Sequence, residues 1–361
     1  MEKMNRETFL KLMTGSAALA VVPTGSAANA IARCSPTVAG GRVRFTAFAD
    51  LHYMPGSWAN SEDLSFLRGI LDRAEKAKTD FVIHLGDFVH RTDRAEERAA
   101  IKAYADFAQP TYHVMGNHDA QIDGWQNALK AYGMKRNYYS FDCKGWRFIV
   151  ADANYFKTKD GRYTHHERGN FAIADERKEL VWATCIPPEQ VEWIKKTIGE
   201  SPYPCVFFSH ESLERGWSIG NDREIRGIFE SANRKSPGKV RLVINGHHHT
   251  DHVRVWNGIV YFELNSANYY WYGGGKSVKY PKEMLDKAEG LKDTIAWTDP
   301  LSAVITLDEH EIRIEGSHST YLCNIRPEDV GYSSIDESVF PRQVVPYVSS
   351  FEYHTNYEVP L

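Results

Sequence analysis

Thr111-Tyr112-His113-Val114-Met115-Gly116-Asn117-His118-Asp119 is the stretch from which the fold is most directly inferred. Its first five residues are β-branched, aromatic or apolar and run into a glycine, which predicts a strand over Thr111–Met115 followed by a sharp turn. The turn carries amide, imidazole and carboxylate side chains within three residues. The ligand crevice of an open α/β sheet forms at the carboxyl ends of its strands, so these side chains are expected to line one.

The same ending recurs at four further predicted strands. These strands are Arg42–Leu51, Phe81–Leu85, Cys205–Ser209 and Arg241–Ile244. The polar groups at or just beyond their ends are Asp50-Leu51-His52, Gly86-Asp87, Ser209-His210 and Gly246-His247-His248-His249. Asp50 and His52 lie two residues apart, so an extended chain points both side chains to the same side. Five strand ends therefore bring similar ligand chemistry to one edge of the fold.

The chain from residue 42 to 320 alternates short β-branched or aromatic runs with longer amphipathic stretches, which predicts an α/β domain. Further strands are predicted over Tyr138–Asp142, Arg147–Ala151, Ile259–Leu264 and a closing hairpin, Ala303–Leu307 with Ile312–Ile314. Helices are predicted over Ser61–Lys78, Glu96–Phe107 and Pro188–Ile198. Residues 321–361 show no clear period and are interpreted as a C-terminal extension.

Two long stretches, residues 154–187 and 268–296, interrupt this pattern. Long loops inside a compact domain are usually functional or disordered, so both stretches are candidate lids. His165 and His166 lie in the first, where a solvated loop is the simpler interpretation and a substrate-facing lid the alternative. The second opens with Tyr269-Tyr270-Trp271-Tyr272, which either packs against the domain or stacks on a planar substrate group.

Seven side chains at the strand ends form a candidate metal centre. They are Asp50, His52, Asp87, Asn117, His210, His247 and His249. Imidazole, carboxylate and amide oxygen together suit Mn, Fe or Zn rather than copper(I) or an iron–sulfur centre. Seven ligands are too many for one ion, so the sequence predicts two divalent ions that share one carboxylate. Each motif alone is more often a turn or capping feature, and only their joint occurrence carries the prediction.

The order D-x-H, GD, GNHD, H, GHxH resembles the fingerprint of the calcineurin-like metallophosphoesterase superfamily, over residues 50–249. This resemblance implies a layered α-β-β-α sandwich of two mixed sheets flanked by helices, with a dimetal site at the strand carboxyl ends. It also implies hydrolysis of small phosphate monoesters or diesters through attack by a metal-activated hydroxide.

The resemblance assigns the candidate ligands to two ions. One ion takes Asp50, His52, Asp87 and His249, and the other takes Asp87, Asn117, His210 and His247. Asp87 is therefore the bridging ligand. His118 resembles the non-ligand histidine of the family, which is expected to stabilise the transition state or protonate the leaving oxygen.

One position departs from the family pattern. Many members carry an acidic residue three positions after the bridging aspartate, where it orients the catalytic histidine, whereas this sequence has His90 there. The orienting partner of His118 is therefore open. The histidine at position 52 and the absence of tyrosine at position 90 argue against the purple acid phosphatases, and the pattern is closer to bacterial phosphodiesterases of the cyclic-nucleotide type.

Residues 1–30 have the layout of a signal peptide. Lys3, Arg6 and Lys11 precede the weakly polar run 12–22, and the segment ends in Ala28-Asn29-Ala30, the pattern of a signal peptidase site. Cleavage is expected after Ala30, which predicts an exported, periplasmic or extracellular protein. The apolar run is shorter than the roughly 20 residues of a membrane-spanning helix, so no transmembrane span is predicted.

Two other functions compete with an exported phosphoesterase. A catalytically silent relative that uses the fold for binding predicts loss of ligands or of His118, and the sequence shows neither loss. A nuclease predicts a basic groove for the strand backbone, whereas the net charge is -4 and the basic residues form no continuous run. The expected partner is a small phosphate ester, for which Arg168, Arg215, Lys276 and Trp217 are candidate contacts. Solvated surface positions are the simpler interpretation for the three basic residues, and packing is the simpler interpretation for Trp217.

Overall fold

The computed structural model describes residues 41–53, 64–89, 95–121, 124–215, 218–271, 278–331, 335–336 and 342–354. Its strands are β1 Val43–Phe48, β2 Phe81–His84, β3 Thr111–His113, β4 Tyr139–Cys143, β5 Trp146–Val150, β6 Tyr155–Thr158, β7 Tyr163–His165, β8 Leu180–Cys185, β9 Cys205–Phe208, β10 Val240–Asn245, β11 His252–Trp256, β12 Ile259–Glu263, β13 Tyr269–Trp271, β14 Thr294–Ala296, β15 Ala303–Leu307, β16 Glu311–Gly316, β17 Ile335–Asp336, β18 Arg342–Gln343 and β19 Phe351–His354.

The helices lie mainly between successive strands. They are α1 Ser65–Ala77, α2 Ala95–Ala105, α3 Asn117–Gln121, α4 Trp125–Ala131, α5 Asn170–Glu176, α6 Pro188–Glu200, α7 Asp222–Lys235 and α8 Lys282–Lys287, with 3-10 turns at Glu289–Asp293, Leu322–Asn324 and Pro327–Val330. The predicted strands and helices are all present among the described residues, with ends shifted by a few residues. Residues 61–63 of the first predicted helix lie outside the described part. Helix α7 was not predicted, because only Ile225, Arg226 and Phe229 of its fourteen residues are buried.

Two six-stranded sheets form the centre of the fold. The first has the order β19-β16-β15-β1-β2-β3, and the second has the order β11-β12-β10-β9-β5-β4. Strands β1, β2 and β3 run parallel, as do β5, β9, β10 and β12. The antiparallel strands are β15, β16 and β19 in the first sheet and β4 and β11 in the second. Both sheets are therefore mixed, and each has a parallel part whose carboxyl ends point in one direction.

The two sheets pack face to face through aromatic side chains. The ring of Phe45 in the first sheet lies 5.6 Å from Phe148 and 6.0 Å from Phe208 in the second. Phe81 lies 5.0 Å from Phe148, and all four rings are fully buried. Burying each such ring stabilises the fold by about 1.5–3 kcal/mol.

Helices cover the outer faces of both sheets. Phe66, Leu67 and Ile70 of α1 pack with α2 against the first sheet, because their helical spacing places them on one face. Ile194 of α6 and Phe229 of α7 pack against the second sheet in the same way. The order of layers is helix, sheet, sheet, helix, which confirms the predicted α-β-β-α sandwich.

The stretch 154–187 is not the solvated loop that was expected. It forms the three-stranded sheet β7-β6-β8 together with α5. Its two histidines are buried: Nε2 of His165 lies 2.7 Å from Oδ2 of Asp152, and Nε2 of His166 lies 2.9 Å from the carbonyl oxygen of Ala183. The three strands are only three to six residues long and are partly buried, so their signal in the sequence is weak.

The later segments are also more ordered than the sequence indicated. In the stretch 268–296, β13 pairs with β14 and residues 278–296 add α8 and a 3-10 turn, while residues 272–277 lie outside the described part. In the C-terminal extension, β19 pairs with β16 and completes the first sheet. Within the described ranges, no helix is both long and apolar enough to cross a membrane.

Candidate metal centre

The candidate ligands all follow the carboxyl ends of parallel strands. Asp50 and His52 follow β1, Asp87 follows β2, Asn117 and His118 open α3 after β3, His210 follows β9, and His247 and His249 follow β10. Backbone pairing continues past the strands, since the amide of Asp50 donates to the carbonyl of Gly86 (3.0 Å) and that of Gly246 donates to the carbonyl of His210 (2.9 Å). The packing of the two sheets brings these ends together.

Five of the seven candidate ligands have a left-handed backbone conformation. Their φ angles are 52° at Asp50, 45° at His52, 57° at Asp87, 74° at His247 and 54° at His249. Each non-glycine residue in this region costs about 1–3 kcal/mol and persists only where its surroundings hold it. Such a concentration at one edge of the sheets is typical of a functional site.

Two glycines allow the ligand loops to approach one another. A Cβ atom on Gly116 would collide with the backbone nitrogen and the carboxylate of Asp87. A Cβ atom on Gly246 would collide with the carboxylate of Asp50. Glycine is therefore required at both positions for the carboxylates to sit where they do.

The ligand atoms form two groups. In the first, Nε2 of His249 lies 3.3 Å from Oδ1 of Asp50 and 3.1 Å from Nε2 of His52. In the second, Nε2 of His210 lies 3.3 Å from Oδ2 of Asp87, 3.2 Å from Oδ1 of Asn117 and 3.2 Å from Nδ1 of His247. The structure thus brings together all seven side chains that the sequence selected.

The carboxylate of Asp87 lies between the two groups. Its Oδ2 atom is 3.3 Å from Nε2 of His210 and 3.6 Å from Nε2 of His52, so a single oxygen faces both. Oδ1 of Asp50 is buried and has no hydrogen-bond partner among the described residues. A buried carboxylate oxygen without a partner is costly unless a cation satisfies it. The residues therefore fit a pair of divalent ions.

Burial and nearby charges set the protonation states of several ligands, and metal binding therefore depends on pH. Burial raises the pKa of Asp87, but the nearby charge of His210 outweighs it and holds that pKa well below the usual value. Burial lowers the pKa of His247, so its imidazole is neutral. Burial also lowers the pKa of His210, but Asp87 outweighs it and raises that pKa well above 6.5. A metal must displace this proton, so affinity should fall as pH falls.

Backbone carbonyls orient two of the histidines. Nδ1 of His210 lies 2.8 Å from the carbonyl oxygen of Leu85, and Nδ1 of His249 lies 2.8 Å from that of Tyr269. When Nδ1–H donates to a carbonyl, Nε2 carries a lone pair that is free for a metal. The ring of Tyr269 also packs 5.1 Å from that of His249, so β13 supports the centre from one side.

Asp119 holds the loops around the bridging carboxylate, a role that the sequence reasoning missed. Its carboxylate accepts hydrogen bonds from the backbone amides of Gly116 (2.9 Å), Asp87 (3.0 Å) and Phe88 (3.1 Å), and from the hydroxyl of Tyr132 (2.5 Å). The signal available was its place directly after Asn117-His118, since an aspartate there can cap the neighbouring backbone amides.

His118 lies at the open side of the centre. Its backbone amide donates to Oδ1 of Asp87 (2.8 Å), while Nε2 of its ring lies 4.0 Å from Oδ2 of that residue. The ring sits edge-on to His52 at 4.9 Å, and its side chain is 37% exposed. An imidazole in this place can reach a substrate bound over the metals. His90, the residue at the position of the family's orienting acid, lies outside the described residues.

The other residues expected to contact the substrate differ in where the structure places them. Arg215 is buried and forms an ion pair with Glu263, so the expectation that it faces solvent or substrate is wrong. Arg168 is exposed, in line with the simpler interpretation. Trp217 and Lys276 lie outside the described residues.

Comparison with known proteins supports the family resemblance. Residues 43–251, more than half of the chain, match the family described as calcineurin-like phosphoesterases. The chain belongs to this family. Metallophosphoesterase chemistry in the family explains why carboxylate, imidazole and amide ligands converge at one edge of the sheets.

Two known proteins show how far the similarity extends. The 3',5'-cyclic adenosine monophosphate phosphodiesterase CpdA of Escherichia coli K12 is 22% identical over 190 residues, which is 52% of this chain and 60% of that protein. This phosphoesterase chain therefore spans less than two thirds of that relative. A dimetal phosphatase from Danio rerio superposes with a TM-score of 0.53 at 16% identity, covering 81% of this chain and 99% of the other. This similarity shows that the two chains share a fold.

We predict that Mn²⁺ stabilises the folded chain through these ligands. At a free concentration of 100 Kd, one bound ion adds about 2.7 kcal/mol to the free energy of unfolding, so thermal unfolding with and without Mn²⁺ should differ by about 5 °C or more. Asp50→Asn keeps the shape of the side chain and removes the buried charge. This variant should be at least as stable as the wild type without metal and should lose most of the shift. An unchanged shift in Asp50→Asn would contradict the assignment of Asp50.

Proposed function

We propose that the protein is an exported dinuclear metallophosphoesterase that hydrolyses small phosphate monoesters or diesters. The observation that carries this proposal is the position of Oδ2 of Asp87, which faces His52 on one side and His210 on the other. A carboxylate oxygen in that position suits a ligand shared by two ions. Imidazole, carboxylate and amide oxygen ligands suit Mn, Fe or Zn as the two ions.

The assignment of ligands follows the two groups of side chains. Asp50, His52 and His249 would hold one ion, Asn117, His210 and His247 would hold the other, and Asp87 would belong to both. When bound, two divalent ions activate a water molecule and neutralise the phosphate oxygens. The chain contributes the fixed geometry, since its ligand loops are already held by glycine turns and by Asp119 before a substrate arrives.

His118 has the position of a proton donor to the leaving group. Nε2 of its ring lies 4.0 Å from Oδ2 of Asp87, the ring contacts that of His52, and the side chain is partly exposed, so it would face a phosphate ester held at the centre. Protonation of the leaving oxygen avoids release of an alkoxide, and general acids of this kind contribute about 10²–10⁴-fold to the rate. A silent binding protein would not need an imidazole there.

The proposal is tested by metal content and hydrolysis measured on the same preparation. Residues 31–361 are expressed, bound metal is counted, and p-nitrophenyl phosphate and bis-p-nitrophenyl phosphate are assayed with added Mn²⁺. We expect about two metals per chain and turnover of at least one substrate. Asp87→Ala should abolish turnover and lower the metal content, whereas His118→Ala should keep the metals and lose about 10²–10⁴-fold in kcat.

The exposed His310 offers a matched control for the histidine variant. His310→Ala should behave like the wild type in both measurements. Two bound metals without hydrolysis of either ester would favour the silent binding protein or a specialised substrate. Absence of bound metal in the wild type would overturn the proposal.

We further propose that the substrate carries a planar base, as in a nucleotide. Tyr269 packs 5.3 Å from the ring of His52, and Trp271 lies two residues further along β13, on the same side of the strand. Trp271 is 60% exposed and is the one aromatic residue among the exposed large hydrophobic side chains of the described ranges. The similarity to a cyclic-nucleotide phosphodiesterase supports the same substrate class.

Adenosine 5'-monophosphate and ribose 5-phosphate test this substrate class, because they share the phosphate and differ in the base. Calorimetric titration in Mn²⁺ uses His118→Ala as the parent protein, so that hydrolysis of either ester is slowed. The parent should bind the nucleotide more tightly, and adding Trp271→Ala should weaken nucleotide binding by about fivefold or more, the effect of losing one stacked base. Ribose 5-phosphate should bind both proteins equally, and Trp271→Phe should retain most of the preference. Val255→Ala, at another exposed strand position, is the control. Equal binding of the two ligands by the parent would refute base stacking.

Export is proposed from residues 1–30, which lie outside the described residues. Full-length chain produced in a bacterial host should be recovered outside the cytoplasm with Ile31 as its first residue, as measured by mass spectrometry. A variant lacking residues 2–30 should remain in the cytoplasm. Retention of uncleaved full-length protein in the cytoplasm would exclude this route.

A further inference from the structure

We infer that Glu263 is a positioning residue, which holds the loop of His247 and His249 in its metal-binding shape. The inference rests on the proposed function and adds to it a group outside the ligand set. Glu263 is the last residue of β12 and is 2% exposed. It lies 14 residues beyond the nearer of the two histidines in the chain, and no family motif in the sequence includes it.

The carboxylate of Glu263 contacts three residues in or beside that loop. Oε2 lies 3.1 Å from Nδ1 of His248 and accepts a hydrogen bond from Nδ2 of Asn245 (3.4 Å). Oε1 accepts a hydrogen bond from the hydroxyl of Thr250 (2.7 Å). Residues 245, 248 and 250 alternate with the two ligands along the chain, so each ligand lies between two residues held by the same carboxylate.

Arg215 completes this cluster and keeps the carboxylate ionised. Its guanidinium contacts Oε1 of Glu263 and donates to the hydroxyl of Thr250 (2.8 Å), and both charged side chains are only 2% exposed. Burial raises the pKa of Glu263, but His248 and Arg215 outweigh it and lower that pKa to about 2. Glu263 is therefore a buried anion with several partners, and removing its charge leaves those partners poorly satisfied.

The backbone of the loop explains why it needs such a contact. His247 and His249 both have left-handed φ angles, 74° and 54°, on either side of His248. This conformation is costly and relaxes unless neighbouring groups fix it. The amide of His247 is held from one side by Oδ2 of Asp50 (3.0 Å), and Glu263 holds the loop from the other. Partners beyond the direct ligands typically change metal affinity by about 10–100-fold.

Glu214 provides a matched control. Its carboxylate is as buried as that of Glu263 and also pairs with one histidine and one arginine, lying 3.1 Å from Nε2 of His252 and 3.2 Å from a guanidinium nitrogen of Arg254. Both of these partners belong to β11, outside the ligand loop. Glu214→Gln therefore removes a similar buried charge without touching the residues between the two ligands.

The test is the Kd for Mn²⁺, measured by calorimetric titration of the wild type, Glu263→Gln and Glu214→Gln. Glu263→Gln should raise the Kd of one site by about 10–100-fold, whereas Glu214→Gln should leave both sites unchanged even if the two variants lose similar thermal stability. At saturating Mn²⁺ the kcat of Glu263→Gln should return towards that of the wild type, because the ligands themselves are intact.

Two results would overturn the inference: wild-type Mn²⁺ affinity in Glu263→Gln, or equal losses in the two variants. If Glu263→Gln fails to fold, Thr250→Val removes one of the three loop contacts, and it should raise the same Kd by a smaller factor. Unchanged affinity in that variant would also count against the role of Glu263. The readout is separate from hydrolysis, so a wild type that binds Mn²⁺ without cleaving either assayed ester leaves this test valid while counting against hydrolysis of those esters.

Discussion

The carboxylate of Asp87 is the contact on which the rest of the site depends. One oxygen accepts a hydrogen bond from the backbone amide of His118, and the other faces ligands from both sheets. The backbone amide of Asp87 itself donates a hydrogen bond to Asp119. A residue in this position fixes three loops at once, and its left-handed backbone leaves it little freedom to move. The neighbouring Gly116 is required because any larger residue would displace this carboxylate.

The two-sheet packing explains how distant parts of the chain meet at Asp87. Phe45 and Phe81 lie in the strands that precede Asp50 and Asp87, and they pack on Phe148 and Phe208 across the sheet interface. A shift of one sheet against the other would break these aromatic contacts. It would also separate the ligands of the first sheet from those of the second. Core packing and site geometry are therefore two results of one arrangement, which accounts for the strained turns being tolerated at this edge.

Much of this arrangement could be predicted from the sequence, because each ligand and the strand before it are recognised from residues that are close together in the chain. Each strand is a short apolar run, and each ligand follows it within a few residues, as in Thr111–His113 and Asn117. The strands of residues 154–187 were missed because they are short and only partly buried, and β19 was missed because its pairing partner lies far away in the chain. The role of Glu263 was equally hidden, since only the folded chain brings it to His248.

The most direct measurement is anomalous X-ray scattering from crystals grown with Mn²⁺. The account predicts two peaks about 3.5–4 Å apart on either side of Asp87, one among Asp50, His52 and His249 and the other among Asn117, His210 and His247. A single peak that leaves one of these groups without a metal, or peaks that lie away from Asp87, would contradict the dinuclear centre.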